Sequence, residues 1–153
     1  MSNILNEFKK YFDLREVVSK QVYQRYGEQA WMFFDPRLME VVIWLRKGMG
    51  IPLVCNNWKN GGKLDERGFR ANLDYTVASK TKKGVLYCPA HGRGQGLDLS
   101  SGKARAPVIR QWIRQHINEC PHPIRLEDDK SAPTWVHIDV CNVTEKKLIE
   151  FSA

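Results

Sequence analysis

His91-Gly92-Arg93-Gly94-Gln95-Gly96-Leu97-Asp98 is the stretch on which the reading of this chain turns. It sets an imidazole and a carboxylate seven residues apart, with glycines at 92, 94 and 96 between them. Glycine tolerates positive φ and leaves room beside an ion, so such a segment can fold back on itself. Leu97 and Leu99 then fall on one side of a short strand, with Gly96 and Asp98 on the other. A catalytic zinc takes three protein ligands from His, Asp or Glu and keeps one position open. His91 and Asp98 supply two. The third can come from an adjoining strand, and Thr134-Trp135-Val136-His137-Ile138-Asp139-Val140 carries a histidine at its middle. The residues alone also suit a plain glycine turn with a solvated His and Asp, so both readings stand at this point. The two other histidines differ. His116 lies on the semi-apolar side of a helix and reads as core or boundary, whereas His122 sits between prolines and reads as exposed.

Outward from these segments the chain reads as one domain over residues 1–153, with no internal repeat and no Pro/Ser linker. Leu5, Phe8, Phe12, then Val17, Val18 and Val22 predict one or two short amphipathic helices over about 3–25, broken near Asp13 and ended by Tyr26-Gly27. The clearest helix follows. Asp35 is its N-cap and Pro36 its first residue. Leu38, Val41, Val42, Leu45 and Met49 are its apolar stripe, and Gly48 and Gly50 are stop signals. Pro52 to Cys55 and Val85 to Tyr87 are short strand candidates, and Asn56 to Gly62 is a turn-rich loop. A second helix is expected over Pro107 to Glu119, stopped by Pro121 and Pro123. Strands are expected at Ile124 to Leu126 and Trp135 to Val140, with a final edge strand at Lys147 to Phe151. Helices early, strands interleaved and no βαβ rhythm predict an α+β fold with a mostly antiparallel sheet.

Composition narrows the class of function. Hydrophobic residues are 42% and charged residues 27% of 153 positions, which excludes disordered and low-complexity chains. A chain this long can bury enough surface to fold without a disulfide or a metal. Cys55, Cys88, Cys120 and Cys141 form no C-x-x-C pair and are expected as free thiols, mostly buried. No apolar run approaches the ~20 residues of a membrane helix. Met1 to Lys10 lacks a signal-peptide core, so synthesis in the cytoplasm without an export signal is expected. The formal charge of +7 favours anionic partners without choosing among them.

The same segments carry a family resemblance. His91, Gly94, Gly96 and Asp98 resemble the motif S-x-H-x-x-G-x-A-x-D of the zinc D-alanyl-D-alanine peptidases, with Pro89 standing where the motif has serine. Trp135-Val136-His137-Ile138-Asp139 resembles the strand that carries their third ligand, and Gly68-Phe69-Arg70 resembles their S-G-Y-R segment, whose arginine contacts substrate. The likeness spans about 35–141 and includes Asn56-Asn57-Trp58 and Gly61-Gly62. It implies the hedgehog/DD-peptidase fold and one Zn2+ held by His91, Asp98 and His137. It also implies hydrolysis of an amide in peptidoglycan stem peptides or cross-bridges, with Arg70 holding an oxyanion or a substrate carboxylate. A phage-type lysis or virion enzyme acting on the cell wall would fit, with no specific nucleic-acid partner and a monomer as the expected state. The general base is the weak match. Family members place a carboxylate three residues before the third ligand, where this chain has Thr134, or a histidine two before, where it has Trp135. Asp139 projects to the same strand face as His137 and is the first candidate, either as base or as a carboxylate orienting a ligand. Glu127, Asp128 and Asp129 are further candidates. A register with Asp139 on zinc and His137 as base is the less favoured alternative.

Two other classes of function compete. A catalytically silent, hedgehog-type zinc-containing binding domain would explain Thr134. A zinc-finger-like nucleic-acid module would use Cys88-x-x-His91 and His116-x-x-x-Cys120.

Overall fold

The computed structural model describes residues 3–153 and has an α+β architecture, with six α-helices and one four-stranded sheet among the described residues. The N-terminal apolar pattern forms three short helices, α1 (Asn3–Phe8), α2 (Leu14–Val17) and α3 (Lys20–Tyr26). Asp13 makes the break: it accepts from Arg15 N at 2.8 Å while Glu16 accepts from Asp13 N at 2.7 Å, a reciprocal capping box. Helix α4 (Pro36–Met49) starts and stops where the caps predict, with Gly50 in the left-handed conformation. Gly48 is no stop. It lies inside α4, where a Cβ would come within 2.3 Å of the Trp112 ring, so its role is close packing.

Helix α5 (Tyr75–Lys82) buries no residue, whereas α6 (Ala106–Gln115) buries Ala106, Ile109, Arg110 and Ile113. The expected helix to Glu119 ends early, and Ile117–Glu119 is a separate 3-10 turn. Val85 to Tyr87 forms no strand, because Val85 and Leu86 stand in solvent with no neighbouring strand to pair with. Pro52 to Cys55 contributes only one isolated bridge, Val54 to Ser100. No described helix is long and apolar enough to cross a membrane.

The sheet consists of β1 (Gly96–Leu99), β2 (Ile124–Glu127), β3 (Val136–Asp139) and β4 (Leu148–Phe151) in the order β1-β3-β2-β4. The two pairings of β3 are antiparallel. The expected edge strand β4 is present but runs parallel to β2, so the sheet is mixed. The registers put Leu97 opposite Ile138 and Leu126 opposite Ile138, and all three side chains lie in the core with Ile109 and Ile113 of α6. The alternate residues face the other way. Asp98 is opposite His137, Gly96 and Arg125 are both opposite Asp139, and Glu127 is opposite Phe151. One face of the sheet therefore closes the hydrophobic core, and the other presents a row of ionisable groups.

Loop backbone ties this polar face to the N-terminal helices. Phe69 N donates to Val17 O at 2.8 Å, Asp98 N donates to Arg67 O at 2.8 Å, and Arg70 N donates to His91 O at 3.2 Å. A Cβ on Gly68 would collide with the Val17 carbonyl, so only glycine lets the 67–70 strap lie this close.

Candidate metal centre

The two distant histidines meet. His91 sits in a 3-10 turn, Ala90–Arg93, that leads into β1, and His137 projects from the middle of β3. His91 Nε2 lies 3.2 Å from His137 Nδ1, and Asp98 Oδ1 lies 3.3 Å from the first and 2.8 Å from the second. All three residues are buried. Gly94 makes the approach possible: its φ is +66°, and a Cβ there would overlap the Phe33 carbonyl. Gly96 leaves the space that the His137 ring occupies, since a Cβ would lie 3.2 Å from its Cε1 and 2.9 Å from the Ala90 Cβ.

Both rings are oriented by their other nitrogen. His91 Nδ1 donates to the Gly68 carbonyl at 2.8 Å, and His137 Nε2 donates to Asp139 Oδ2 at 2.9 Å. With those protons placed outward, the lone pairs of His91 Nε2 and His137 Nδ1 point at each other and at Asp98. Such an arrangement asks for a cation. In its place, burial alone would depress His137, but hydrogen bonds to Asp139 and Asp98 outweigh burial and push its pKa up to about 9. Burial would likewise raise Asp98, yet the two imidazoles hold it well below the usual carboxylate range. Burial lowers His91.

The donor set fits a metal. Two neutral imidazoles and one carboxylate, with no thiolate, form a donor set that zinc accepts, as do other divalent metals. Zinc bonds of ~2.0–2.1 Å in a tetrahedron place donors about 3.4 Å apart, near the separations found here. The buried His91–Asp98–His137 group can therefore hold a metal ion, and it is the one such cluster among the described residues. No cysteine joins it. Cys88 is exposed, Cys120 is buried elsewhere, and His116 stacks on Trp112 with ring centroids 4.2 Å apart. The four residues of the finger-like spacing are not brought together into a metal cluster.

Asp139 stands behind His137 rather than beside the cavity. It is fully buried, and its oxygens accept from Arg125 Nε and Nη2, both at 2.9 Å, from the Cys141 amide at 2.9 Å, and from His137. Burial pulls its pKa up, but His137 and Arg125 together hold it down at about 2. With every lone pair engaged, it orients His137 and balances charge.

A cavity of about 330 Å³ opens over the triad and is lined by Arg70, Tyr87, Glu127 and Trp135 as well as the donors. Arg70 reaches Asp98 Oδ2 at 3.3 Å and the Tyr87 hydroxyl at 3.3 Å, and is held from behind by the Glu66 carbonyl. Glu127 differs from every other acid here. Its carboxylate has no hydrogen-bond partner among the described residues, its residue is 8% exposed, and burial raises its pKa. Asp128 and Asp129 do not line the cavity: Asp128 caps Ser131 at 2.9 Å and Asp129 pairs with Arg110 at 2.8 Å.

Arg110, fully buried on α6, is the residue that sequence reading missed. Its guanidinium donates to the carbonyls of Glu127 (2.8 Å), Ala132 (2.6 Å) and Trp135 (2.7 Å), besides Asp129. It fastens both ends of the 127–135 loop that walls the cavity. It lies beside Ile109 in the chain, at the edge of the apolar stripe of α6, so its burial follows from tertiary contacts and not from the helical pattern.

Comparison of the chain with protein-family models, with curated proteins and with solved structures found no match.

Proposed function

We propose that this protein is a zinc-dependent peptidase of the D-Ala-D-Ala peptidase type, cleaving an amide in the stem peptides or cross-bridges of peptidoglycan. The observation that supports it most directly is the convergence of His91 Nε2, His137 Nδ1 and Asp98 Oδ1 beneath a cavity that also holds an unpartnered carboxylate. Zinc, when bound by His91, Asp98 and His137, would supply a Lewis acid that polarises a carbonyl and acidifies water.

The chain's own groups do the rest. Glu127 accepts a proton from the water that attacks the carbonyl carbon and returns it to the departing amine. Its partial burial and raised pKa suit that double task. Arg70, at the cavity wall, donates to the substrate carbonyl or to a substrate carboxylate. Asp139 keeps the proton of His137 on Nε2, which leaves Nδ1 free as a donor atom. Arg110 holds the backbone of Glu127 and Trp135 in place. The +7 charge favours approach to an anionic wall, an effect that weakens with salt.

Incubation of the zinc-loaded protein with purified peptidoglycan of several chemotypes tests this. New amino groups are expected, with their release abolished by chelator and restored by zinc. No release from any chemotype would favour a silent binding domain instead.

A further inference from the structure

Beyond the metal cavity lies a second one of about 470 Å³, and the two share Arg70, Tyr87 and Pro89 as a common wall. Their linings differ in acidic residues. The first gathers Asp98 and Glu127, whereas no Asp or Glu lines the second. The floor of the second cavity is aromatic: Phe33 and Phe69 stack with centroids 4.7 Å apart and planes 8° apart. Tyr26 meets Phe33 edge-on at 4.9 Å. The cation at its margin is Arg93, two residues beyond His91 in the chain. Arg70 is already engaged by Asp98. Arg93 is exposed and forms no ion pair with a carboxylate among the described residues. Its guanidinium donates to the Cys141 thiol at 3.1 Å.

We propose that this second cavity is a subsite for a carboxylate-bearing segment of the same peptide substrate, and that Arg93 selects that carboxylate. The assignment deepens the peptidase reading and rests on it. A substrate lying across the Arg70–Tyr87 ridge would place its reacting amide over the triad. Its flanking segment would lie on the Phe33–Phe69 stack, with an anionic group facing Arg93. A charge-assisted hydrogen bond at a partly exposed rim separates carboxylate from amide by about tenfold in affinity. Arg70 and Arg125 of the first cavity are ion-paired with Asp98 and Asp139, whereas Arg93 has no carboxylate partner among the described residues, and this assigns the anionic segment to the second cavity.

The test uses the full chain, zinc-loaded, and two labelled pentapeptides: L-Ala-γ-D-Glu-L-Lys-D-Ala-D-Ala, and the same peptide with the free D-Glu carboxylate converted to its amide. Fluorescence anisotropy reads binding, and amine release reads cleavage. The carboxylate peptide is expected to bind about tenfold more tightly than the amide. Arg93→Gln should erase that preference, and Arg93→Lys should keep part of it. Equal affinity for the two peptides, a preference that persists in Arg93→Gln, or no binding of either overturns the subsite. An Arg93-dependent preference without cleavage keeps the subsite and removes the hydrolase reading. Cleavage without any preference does the reverse.

Discussion

On one face of the sheet Leu97, Leu126 and Ile138 are fully buried; one residue along each strand, Asp98, Glu127 and His137 are 6–8% exposed and ionisable. The same three strands thus make a dry apolar layer and a nearly dry polar one. Buried apolar groups need only complementary shape, so the first face tolerates many solutions. Buried charges need named partners, so the second is over-determined. Asp98 has two imidazoles and Arg70, Asp139 has Arg125 and His137, and His91 has the Gly68 carbonyl. Glu127 alone breaks the pattern. Its carboxylate has no hydrogen-bond partner among the described residues and opens on the cavity instead, and that exception directs attention to it as the proton acceptor of the proposed peptidase.

The sharpest way to break the comparison is to change Glu127. Glu127→Gln should cut peptide cleavage by ~10²–10⁴-fold while a competing chelator dye still reports a zinc-binding protein. Loss of zinc together with activity would mean that Glu127 is part of the metal set instead. Ile138→Ala, on the apolar face of the same strand as His137, should cost about 2–5 kcal/mol in urea unfolding. Because it removes packing and no donor, zinc affinity of the folded fraction should follow the wild type. Asp139→Asn preserves shape but weakens the hold on His137 Nε2, and a ~10–100-fold drop in metal affinity by dye competition is expected. The smallest effect lies off the sheet. Asp35 caps α4 and accepts from Gln95 Nε2 at 3.0 Å, next to the Gly94 turn. The Arg37 guanidinium beside it holds its pKa at about 2. Its contribution is therefore present above the ordinary aspartate pKa of about 4 and lost as pH falls through about 2. Thermal midpoints of wild type and Asp35→Asn, measured from pH 5 down to pH 2, should converge, the gap at pH 5 corresponding to about 1 kcal/mol from the lost Arg37 ion pair and the lost negative charge at the helix N-terminus, since Asn still caps.

How much of this was legible beforehand varies with the range of the interaction responsible. The α4 boundaries follow from Asp35, Pro36 and Gly50, all local signals. The polar row on β1 and β3 follows from alternation, which puts Asp98 and His137 opposite the leucines and isoleucines of their own strands. The same alternation runs through Ile124-Arg125-Leu126-Glu127, and extending that strand by one residue singles out Glu127 from Asp128 and Asp129. Other features have no local signature. Val85 to Tyr87 has strand-forming side chains, but Val85 and Leu86 are exposed and no described strand pairs with them. The parallel docking of β4 depends on the path of residues 140–147, where Asn142 Nδ2 donates to Ile124 O at 3.0 Å and Lys146 O at 2.7 Å. Arg110 in a helix reads as a surface cation until tertiary contacts supply its four acceptors.

Arg110 has a mechanical consequence. A guanidinium stripped of its acceptors inside a protein is expensive, so the span from Glu127 to Trp135 cannot swing outward without stranding that charge. The doorway therefore has one fixed jamb. Whatever widening the proposed peptidoglycan substrate would require at the threshold falls to the Lys83–Tyr87 stretch after α5, where Leu86 is 92% exposed and little buried surface resists displacement.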